Sequence, residues 1–184
     1  MSRRSGRLVV SVCVTVFVVL GAFVILLATR GTSPGVIIGS GIIGEQAPEF
    51  SGETLTGEIF DLDDQRGRWV VVNFFASWCV GCIQEHPELV EFSQRHAAAG
   101  DAVVVSIAFD DSVSNVERFF AERGGDWPVL ASDVGIVGPT YGVTALPETY
   151  LVAPNGRVVD KLVGASGVTA DQLDATIARF EQPR

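Results

Sequence analysis

The chain has 184 residues, 47% hydrophobic and 19% charged, which suits one domain of about 140 residues plus an appendage. Residues 1–30 hold four arginines and no acid. The remainder therefore carries nine basic side chains against 22 acidic ones, a net charge near −13 (9 minus 22) within a total of −9. An acidic surface repels phosphate backbones, so the composition argues against nucleic acid as a partner and favours proteins or peptides.

The first predicted element is an apolar run from Leu8 to Ala28, which contains no charged residue and is long enough to cross a hydrocarbon core of about 30 Å. More arginines precede the run than follow it, so residues 1–7 are predicted to be cytoplasmic and the rest extracytoplasmic. We predict a single-pass anchor over residues 8–28. A cleaved signal peptide and, from Arg3-Arg4, twin-arginine export are the alternatives, but residues 27–30 offer no small-x-small cleavage site.

The predicted anchor contains one of the three cysteines, Cys13, which is interpreted as a small buried hydrophobe. Residues 29–44 are rich in glycine and indicate a flexible linker. The remaining residues, 45–184, form the predicted folded domain. Its two cysteines, Cys79 and Cys82, would lie in a compartment where dithiols can cycle between reduced and oxidised forms and where structural disulfides can persist.

Alternating and buried patterns predict an α/β domain. In chain order they are a hairpin within residues 53–63, a buried strand at 69–75, a helix from Cys79 to about Ala99, a strand at 102–109, a helix at 113–123, a strand at 127–131, a short helix at 134–141, a hairpin of strands 148–153 and 158–163, and a helix at 169–180 with Thr169 as N-cap. The strand-helix-strand order indicates a parallel crossover, and the later hairpin adds antiparallel strands. We therefore predict a central mixed β-sheet flanked by helices.

The candidate site is Cys79-Val80-Gly81-Cys82, at the point where a buried strand turns into a helix. Helix N-termini favour negative charge, so the Cys79 thiol is expected to ionise readily, and the thiolate is the reactive form. We predict that Cys79 attacks a partner's disulfide and that Cys82, shielded one turn deeper, resolves the mixed species. One alternative is half of a zinc site with His86 as third ligand, but it needs a fourth ligand and the only other histidine, His96, has no obvious partner. The other is a structural disulfide, which would not require this strand-to-helix setting.

Across residues 44–180 the sequence resembles the TlpA/ResA/CcmG (DsbE) group of membrane-anchored thioredoxin-like proteins. The matching motifs are Val71–Cys79, Cys82–Pro87, Tyr141–Val143, Leu146–Val152 and Pro154–Gly156. The resemblance implies a thioredoxin-like fold with an insert within residues 101–130. It also implies thiol-disulfide oxidoreductase activity, with the cysteine pair as the redox centre, no other cofactor and no metal.

The resemblance further implies roles for the residues of the loop opposite the cysteines. Pro147 would be cis and face the disulfide, which would free the Leu146 backbone to pair with an extended substrate strand. Glu148 would be a second acid beside this substrate groove. Trp78 is expected to flank the disulfide and contact substrate.

The acid-base group is predicted to be Glu85, which lies one helical turn beyond Cys82. Thioredoxin usually has a buried aspartate six residues before its first cysteine, and Asn73 takes that place here. Because an amide cannot take a proton, the resemblance to ResA-like proteins shifts the role to Glu85.

One departure concerns Gly81, since many relatives have proline before the second cysteine. It leaves the redox direction open. The leading hypothesis is reduction of exported proteins such as apocytochrome c, with electrons from a thiol-reducing membrane donor. One alternative is an oxidant of exported thiols. The other is a copper-handling metallochaperone, but the lack of a histidine near Pro147 argues against a copper site.

Overall fold

The computed structural model describes Val16, Val19, Leu20, residues 41–131, Gly135 and residues 137–182. The chain divides into two compact units, Met1–Val36 and Ile37–Arg184. In the first unit, the three described residues are helical and exposed. Within the described part of the chain, no helix is long and apolar enough to cross a membrane. The predicted anchor and linker fall largely outside the described residues and stay predictions.

A five-stranded sheet with strand order β5-β4-β3-β6-β7 forms the centre of the second unit. Strand β3 (Trp69–Phe75) pairs in parallel with β4 (Ala102–Ala108), which pairs in parallel with β5 (Val129–Leu130). Strands β6 (Glu148–Val152) and β7 (Val158–Val163) are antiparallel to their neighbours. The predicted mixed sheet and parallel crossover are therefore confirmed, although β5 is shorter than the predicted strand.

Four helices connect and cover these strands. They are α1 (Val80–His96), α2 (Val113–Arg123), α3 (Val137–Tyr141) and α4 (Ala170–Glu181). Helix α2 and strand β5 lie in the stretch where the resemblance places an insert. The side chain of Thr169 accepts a hydrogen bond from the Gln172 amide, so it is the N-cap of α4, as predicted. A separate hairpin consists of β1 (Ser51–Glu53) and β2 (Ile59–Asp61).

Every residue of β3 is buried, because both faces of the sheet are covered. One core cluster joins Val71 and Phe75 of β3 to the α1 residue Leu89. The other joins Phe74 to Tyr141 and to segments before the sheet. Since alternate residues face opposite sides of a strand, Asn73 shares the α1 face with Val71 and Phe75. The strand therefore places one polar side chain under the helix that carries the cysteines.

The C-terminal end of α1 is fastened to α4 by charged groups. Arg95 donates hydrogen bonds to Asp171 and Asp174, and to Glu91 of its own helix. The imidazole of His96 contacts Asp101 and Asp174. These contacts fix the end of α1 that lies far from the cysteines.

The folded domain begins slightly before the predicted start at Glu45. Ile42 packs against the core, and the Gly44 amide donates to the Val158 carbonyl oxygen. The Ala47 amide donates to the Gly156 carbonyl oxygen. These contacts tie the beginning of the domain to the β6–β7 hairpin.

Candidate active site

Cys79 and Cys82 form a disulfide at the N-terminus of α1, with their Cα atoms 5.2 Å apart. Cys79 is the N-cap residue, and its Sγ accepts a hydrogen bond of 3.2 Å from the Cys82 amide. An amide donor and the helix terminus both stabilise negative charge on this sulfur. Cys79 is 7% exposed and Cys82 2%, so Cys79 is the more accessible of the two in the disulfide form.

The segment before Cys79 is held by the loop that follows β4. The Ser77 amide donates to Asp111 at 2.6 Å, and the Trp78 indole donates to the Asp110 carbonyl oxygen at 3.1 Å. Burial would raise the pKa of Asp111, but hydrogen bonds from Ser77 and neighbouring groups outweigh burial and lower it. Trp78 is 60% exposed beside the disulfide. The aspartates were missed from the sequence, although their position after a strand parallel to β3 could have indicated them.

Pro147 lies directly against the first turn of α1. The Leu146–Pro147 peptide bond is cis, as the resemblance predicted. A Cβ added to Gly81 would lie 3.0 Å from Pro147 Cδ and 3.5 Å from Ala165 Cβ. The glycine therefore permits this close approach. Leu146 is half-buried and packs against both core clusters, so its side chain anchors the loop and its backbone role stays a prediction.

Glu85 lies on α1, one turn beyond Cys82, and is only 1% exposed because its side chain faces the sheet. Asn73 Nδ2 donates to its Oε1 at 2.6 Å. Burial raises the pKa of Glu85 from 4.5 to about 8, and the Asn73 hydrogen bond opposes only part of that rise. Among the described residues, Oε2 has no hydrogen-bond partner. The site thus holds a carboxyl group that changes protonation state near neutral pH, with one oxygen free.

Asn73 belongs to a buried row of polar side chains that sequence reasoning missed. Its Nδ2 also donates to Thr149 Oγ1 at 3.0 Å, and its Oδ1 accepts from Ser106 Oγ at 3.3 Å. Ser106 Oγ in turn accepts from Trp127 Nε1 at 2.8 Å. The strand register Asn73↔Ser106 and Asn73↔Thr149 creates this row, and no local sequence pattern indicates it.

Glu148 lies away from Glu85, on the opposite face of the sheet. It is fully buried, and its carboxylate accepts hydrogen bonds from the Thr144 amide and hydroxyl, the Ala145 amide, the Tyr150 hydroxyl and the Lys161 ammonium. Burial would raise its pKa, but hydrogen bonds from Lys161 and the other donors outweigh burial and lower it. This differs from the predicted place beside the substrate groove, because strand alternation turns Glu148 away from the α1 face. Its contacts fasten the loop that carries Pro147.

His86, which the zinc alternative requires as a ligand, makes contacts with other parts of the protein. Its Nε2 donates to the Gly124 carbonyl oxygen at 2.9 Å, and its ring packs against Phe119, Phe120 and Trp127. Burial lowers its pKa, so the ring is neutral at pH 7. Over the described part of the chain, no group of three or more His, Cys, Asp or Glu is arranged to hold a metal.

The fold and the position of the cysteine pair define the class of protein, since a disulfide capping the helix after a central strand is the redox centre of thioredoxin-fold proteins. The chain is a thiol-disulfide oxidoreductase of the ResA/DsbE type. The sequence profile of the Redoxin family matches residues 42–177, and the chain belongs to this family.

Individual relatives agree with this assignment. The chain is 32% identical over 140 residues to the thiol-disulfide oxidoreductase ResA of Bacillus anthracis, covering 75% of this chain and 78% of that one. It is 31% identical over 143 residues to the thiol:disulfide interchange protein HelX of Rhodobacter capsulatus, covering 74% and 78%. Among solved structures, a secreted Mycobacterium tuberculosis disulfide oxidoreductase homologous to Escherichia coli DsbE matches with 25% identity and a TM-score of 0.60, covering 71% and 95%.

Proposed function

We propose that this protein is a membrane-anchored, extracytoplasmic reductase of disulfides in exported proteins, with apocytochrome c as its substrate. Residues 8–28 would anchor it, and a thiol-reducing membrane protein would supply its electrons. Its likeness to a secreted disulfide oxidoreductase supports an extracytoplasmic location. The apolar run and the arginines before it support the anchor.

In this mechanism the two cysteines have different tasks. The Cys79 thiolate attacks one sulfur of the substrate disulfide, forms a mixed disulfide and releases the other substrate sulfur as a thiolate. Cys82 then loses its proton and attacks Cys79 Sγ. The Cys79–substrate bond breaks, and its electron pair leaves with the second substrate sulfur. The substrate gains two electrons, and the protein ends as the disulfide.

The observation that carries the proposal is the buried carboxyl group of Glu85. With a pKa of about 8, part of the Glu85 population is ionised near neutral pH, and this ionised form can take the Cys82 proton during resolution and release it afterwards. Its ionised form is costly in this environment, so proton uptake is favourable. A surface glutamate with an ordinary pKa of 4.5 would be a weaker base at neutral pH.

The direction of electron flow follows from what stabilises the Cys79 thiolate. In the disulfide form the Cys79 sulfur accepts a hydrogen bond from the Cys82 amide, and His86 on the same helix is neutral and bonded to Gly124. A strongly oxidising pair needs its reduced form stabilised much further. These contacts therefore favour a reductant, and oxidation of exported thiols is the second candidate.

Substrate would lie across the exposed surface around the disulfide. Trp78 and Val80, the sequence neighbours of Cys79, present apolar area to solvent. The Leu146–Pro147 segment, which lies against the first turn of α1, would pair with an extended substrate strand through the Leu146 backbone. An apolar contact plus backbone pairing suits an unfolded segment, which is the state of a cytochrome before haem attachment.

The proposal is tested with the full-length chain in detergent, reduced and mixed with an oxidised peptide that carries the haem-attachment motif C-x-x-C-H. We expect rapid reduction of this peptide and slower reduction of a control disulfide peptide of equal length without the motif. Equal rates for both peptides would refute the substrate assignment. Net oxidation of the reduced peptides by the disulfide form in glutathione buffer would favour the second candidate.

A further inference from the structure

The buried row Trp127–Ser106–Asn73–Glu85 has a fixed hydrogen-bond direction. An indole N–H can only donate, so the Ser106 oxygen must accept from Trp127. The Ser106 hydroxyl hydrogen is then free for a second contact, and the neighbouring oxygen is Asn73 Oδ1, at 3.3 Å. The row therefore begins with a donor that cannot reverse.

The direction of the first two contacts determines how the Asn73 carboxamide is turned. With Oδ1 held by the Ser106 hydroxyl, Nδ2 faces Glu85 Oε1 at 2.6 Å and Thr149 Oγ1 at 3.0 Å. Reversing the amide would set Oδ1 against the carboxylate and leave the Ser106 hydroxyl facing an N–H group. Both arrangements are costly for groups buried this deeply.

We propose that Ser106 and Trp127 are positioning residues for thiol-disulfide exchange, which orient Asn73 so that Glu85 Oε1 always accepts a hydrogen bond and Oε2 alone exchanges the proton. The proposal rests on the proton role of Glu85 proposed above. Oε2 has no hydrogen-bond partner among the described residues, which leaves it open for this exchange. The device would act through Asn73, without contact between Ser106 or Trp127 and the sulfur atoms.

The proton balance of the step is simple. Resolution starts from the ionised form of Glu85: the Cys82 thiol gives its proton to Glu85 Oε2, and the resulting thiolate attacks Cys79 Sγ. The new disulfide forms, the substrate thiolate leaves, and Glu85 is left as the neutral acid. Its proton then passes to the released thiolate or to water. Oε1 keeps its hydrogen bond from Asn73 in both protonation states.

Among the described residues, burial and the Asn73 hydrogen bond are the influences on the Glu85 carboxyl. Strands β3, β4 and β6 contribute Asn73, Ser106 and Thr149 to this row, and none of the three ionises at neutral pH. Its own helix contributes Cys82 and the neutral His86, and Glu148 and Lys161 pair with each other on the opposite face of the sheet. The pH at the midpoint of the Glu85 titration therefore depends chiefly on burial and on the hydrogen bond from Asn73.

The experiment follows the Glu85 carboxyl by carbon-13 NMR in full-length, oxidised protein labelled at the glutamate side-chain carboxyl carbon. Glu85→Gln identifies the signal, and the disulfide keeps the cysteines from titrating. In Ser106→Ala the carboxamide can reverse, so the ionised form loses its donor. We expect the Glu85 midpoint to rise by about 0.5 to 1 pH unit, the scale of one hydrogen bond.

Matched variants separate orientation from simple loss of packing. Ser106→Thr keeps the hydroxyl and should restore the wild-type midpoint. Thr176→Val, which removes a buried hydroxyl on α4, should leave the midpoint unchanged. Trp127→Phe removes the obligatory donor and should shift the midpoint in the same direction as Ser106→Ala, which keeps the test decisive if Ser106→Ala fails to fold.

The kinetic readout is the pH dependence of mixed-disulfide resolution, whose midpoint should move with the NMR midpoint in the Ser106 and Trp127 variants. An unshifted Glu85 midpoint in both Ser106→Ala and Trp127→Phe overturns the orientation proposal. An equal shift in Ser106→Thr also overturns it. By contrast, if Glu85→Gln leaves the pH dependence of resolution unchanged, the proton role itself fails, whatever the NMR midpoints show.

Discussion

Replacing Glu85 with glutamine should change how the stability of the oxidised protein depends on pH. Burial raises the pKa of Glu85 from 4.5 to about 8, so the folded state holds a proton that the unfolded state releases. The stabilising effect of this retained proton is complete below pH 4.5 and is lost as the pH rises through about 8. A pKa unit is worth about 1.4 kcal/mol, so the full loss is about 5 kcal/mol.

Most of this loss falls within an accessible range of pH. Between pH 5 and pH 8 the linkage relation gives a loss of about 3 to 4 kcal/mol of unfolding free energy from Glu85 alone. A glutamine in its place would not ionise and would not suffer this loss. The glutamine amide oxygen can accept from Asn73, while its amide nitrogen takes the position of Oε2, where the described residues offer no partner. Compared with the wild type, the variant is therefore expected to be less stable at pH 5 than at pH 8.

The assay is urea unfolding of both proteins, oxidised, at pH 5 and pH 8. Taking the difference between variant and wild type cancels other titrating groups, such as Asp111 and Glu148, whose lowered pKa values act in both proteins. We expect the variant to gain about 3 to 4 kcal/mol relative to wild type across this range. A relative gain below about 1 kcal/mol would mean that the carboxyl group is not held neutral by burial, and the proton role would lose its basis.

The remaining predictions concern the cysteines, their neighbours and the far end of α1. Cys82→Ser should accumulate mixed disulfides with partners on non-reducing gels and Cys79→Ser should not; equal trapping would reverse the assignment. Equilibration with glutathione should give a potential nearer the thioredoxin value of about −270 mV than the DsbA value of about −120 mV, and a value above about −170 mV would indicate an oxidant. Gly81→Ala should slow exchange several-fold in stopped-flow measurements, because its Cβ would lie 3.0 Å from Pro147 Cδ; an unchanged rate would show that this close approach does not matter for exchange. Burial disfavours the charged form of His96, but hydrogen bonds to two aspartates outweigh burial and raise its pKa. The stabilising effect of the charged ring is therefore present below pH 6.5 and is lost as the pH rises through the folded-state pKa. Replacing His96 with glutamine should remove this pH dependence from thermal unfolding curves.

The strands and helices could be predicted closely from the sequence where burial dominates. The run Trp69–Phe75 is β-branched and aromatic throughout except for Asn73, and it forms β3 with the predicted bounds. Helix α2 likewise has the predicted bounds, with Ser112 as its N-cap. Strand β5 was predicted too long, since its pairing with β4 covers only two residues. A pattern of apolar residues reports burial, whereas the length of a strand depends on a partner elsewhere in the chain.

The same limit applies to the site. Cys79, Cys82 and Glu85 lie close together in the sequence, so spacing along one helix was enough to group them. Ser106 and Trp127 join them only through the register of neighbouring strands, which no local pattern encodes. The resemblance pointed to an acid at Glu148. The side of the sheet on which this residue lies, however, depends on the alternation of side chains along β6.

The contact between Gly81 and Pro147 sets which position between the cysteines is open to variation. A side chain at position 81 meets a proline ring and Ala165, whereas Val80 is 69% exposed and meets mainly solvent. Position 80 is therefore the place where a charge can be introduced next to the Cys79 sulfur without disturbing the packing of the loop opposite. A lysine there would favour the thiolate and a glutamate would oppose it. Position 80 is thus one through which evolution or design could move the redox potential in either direction.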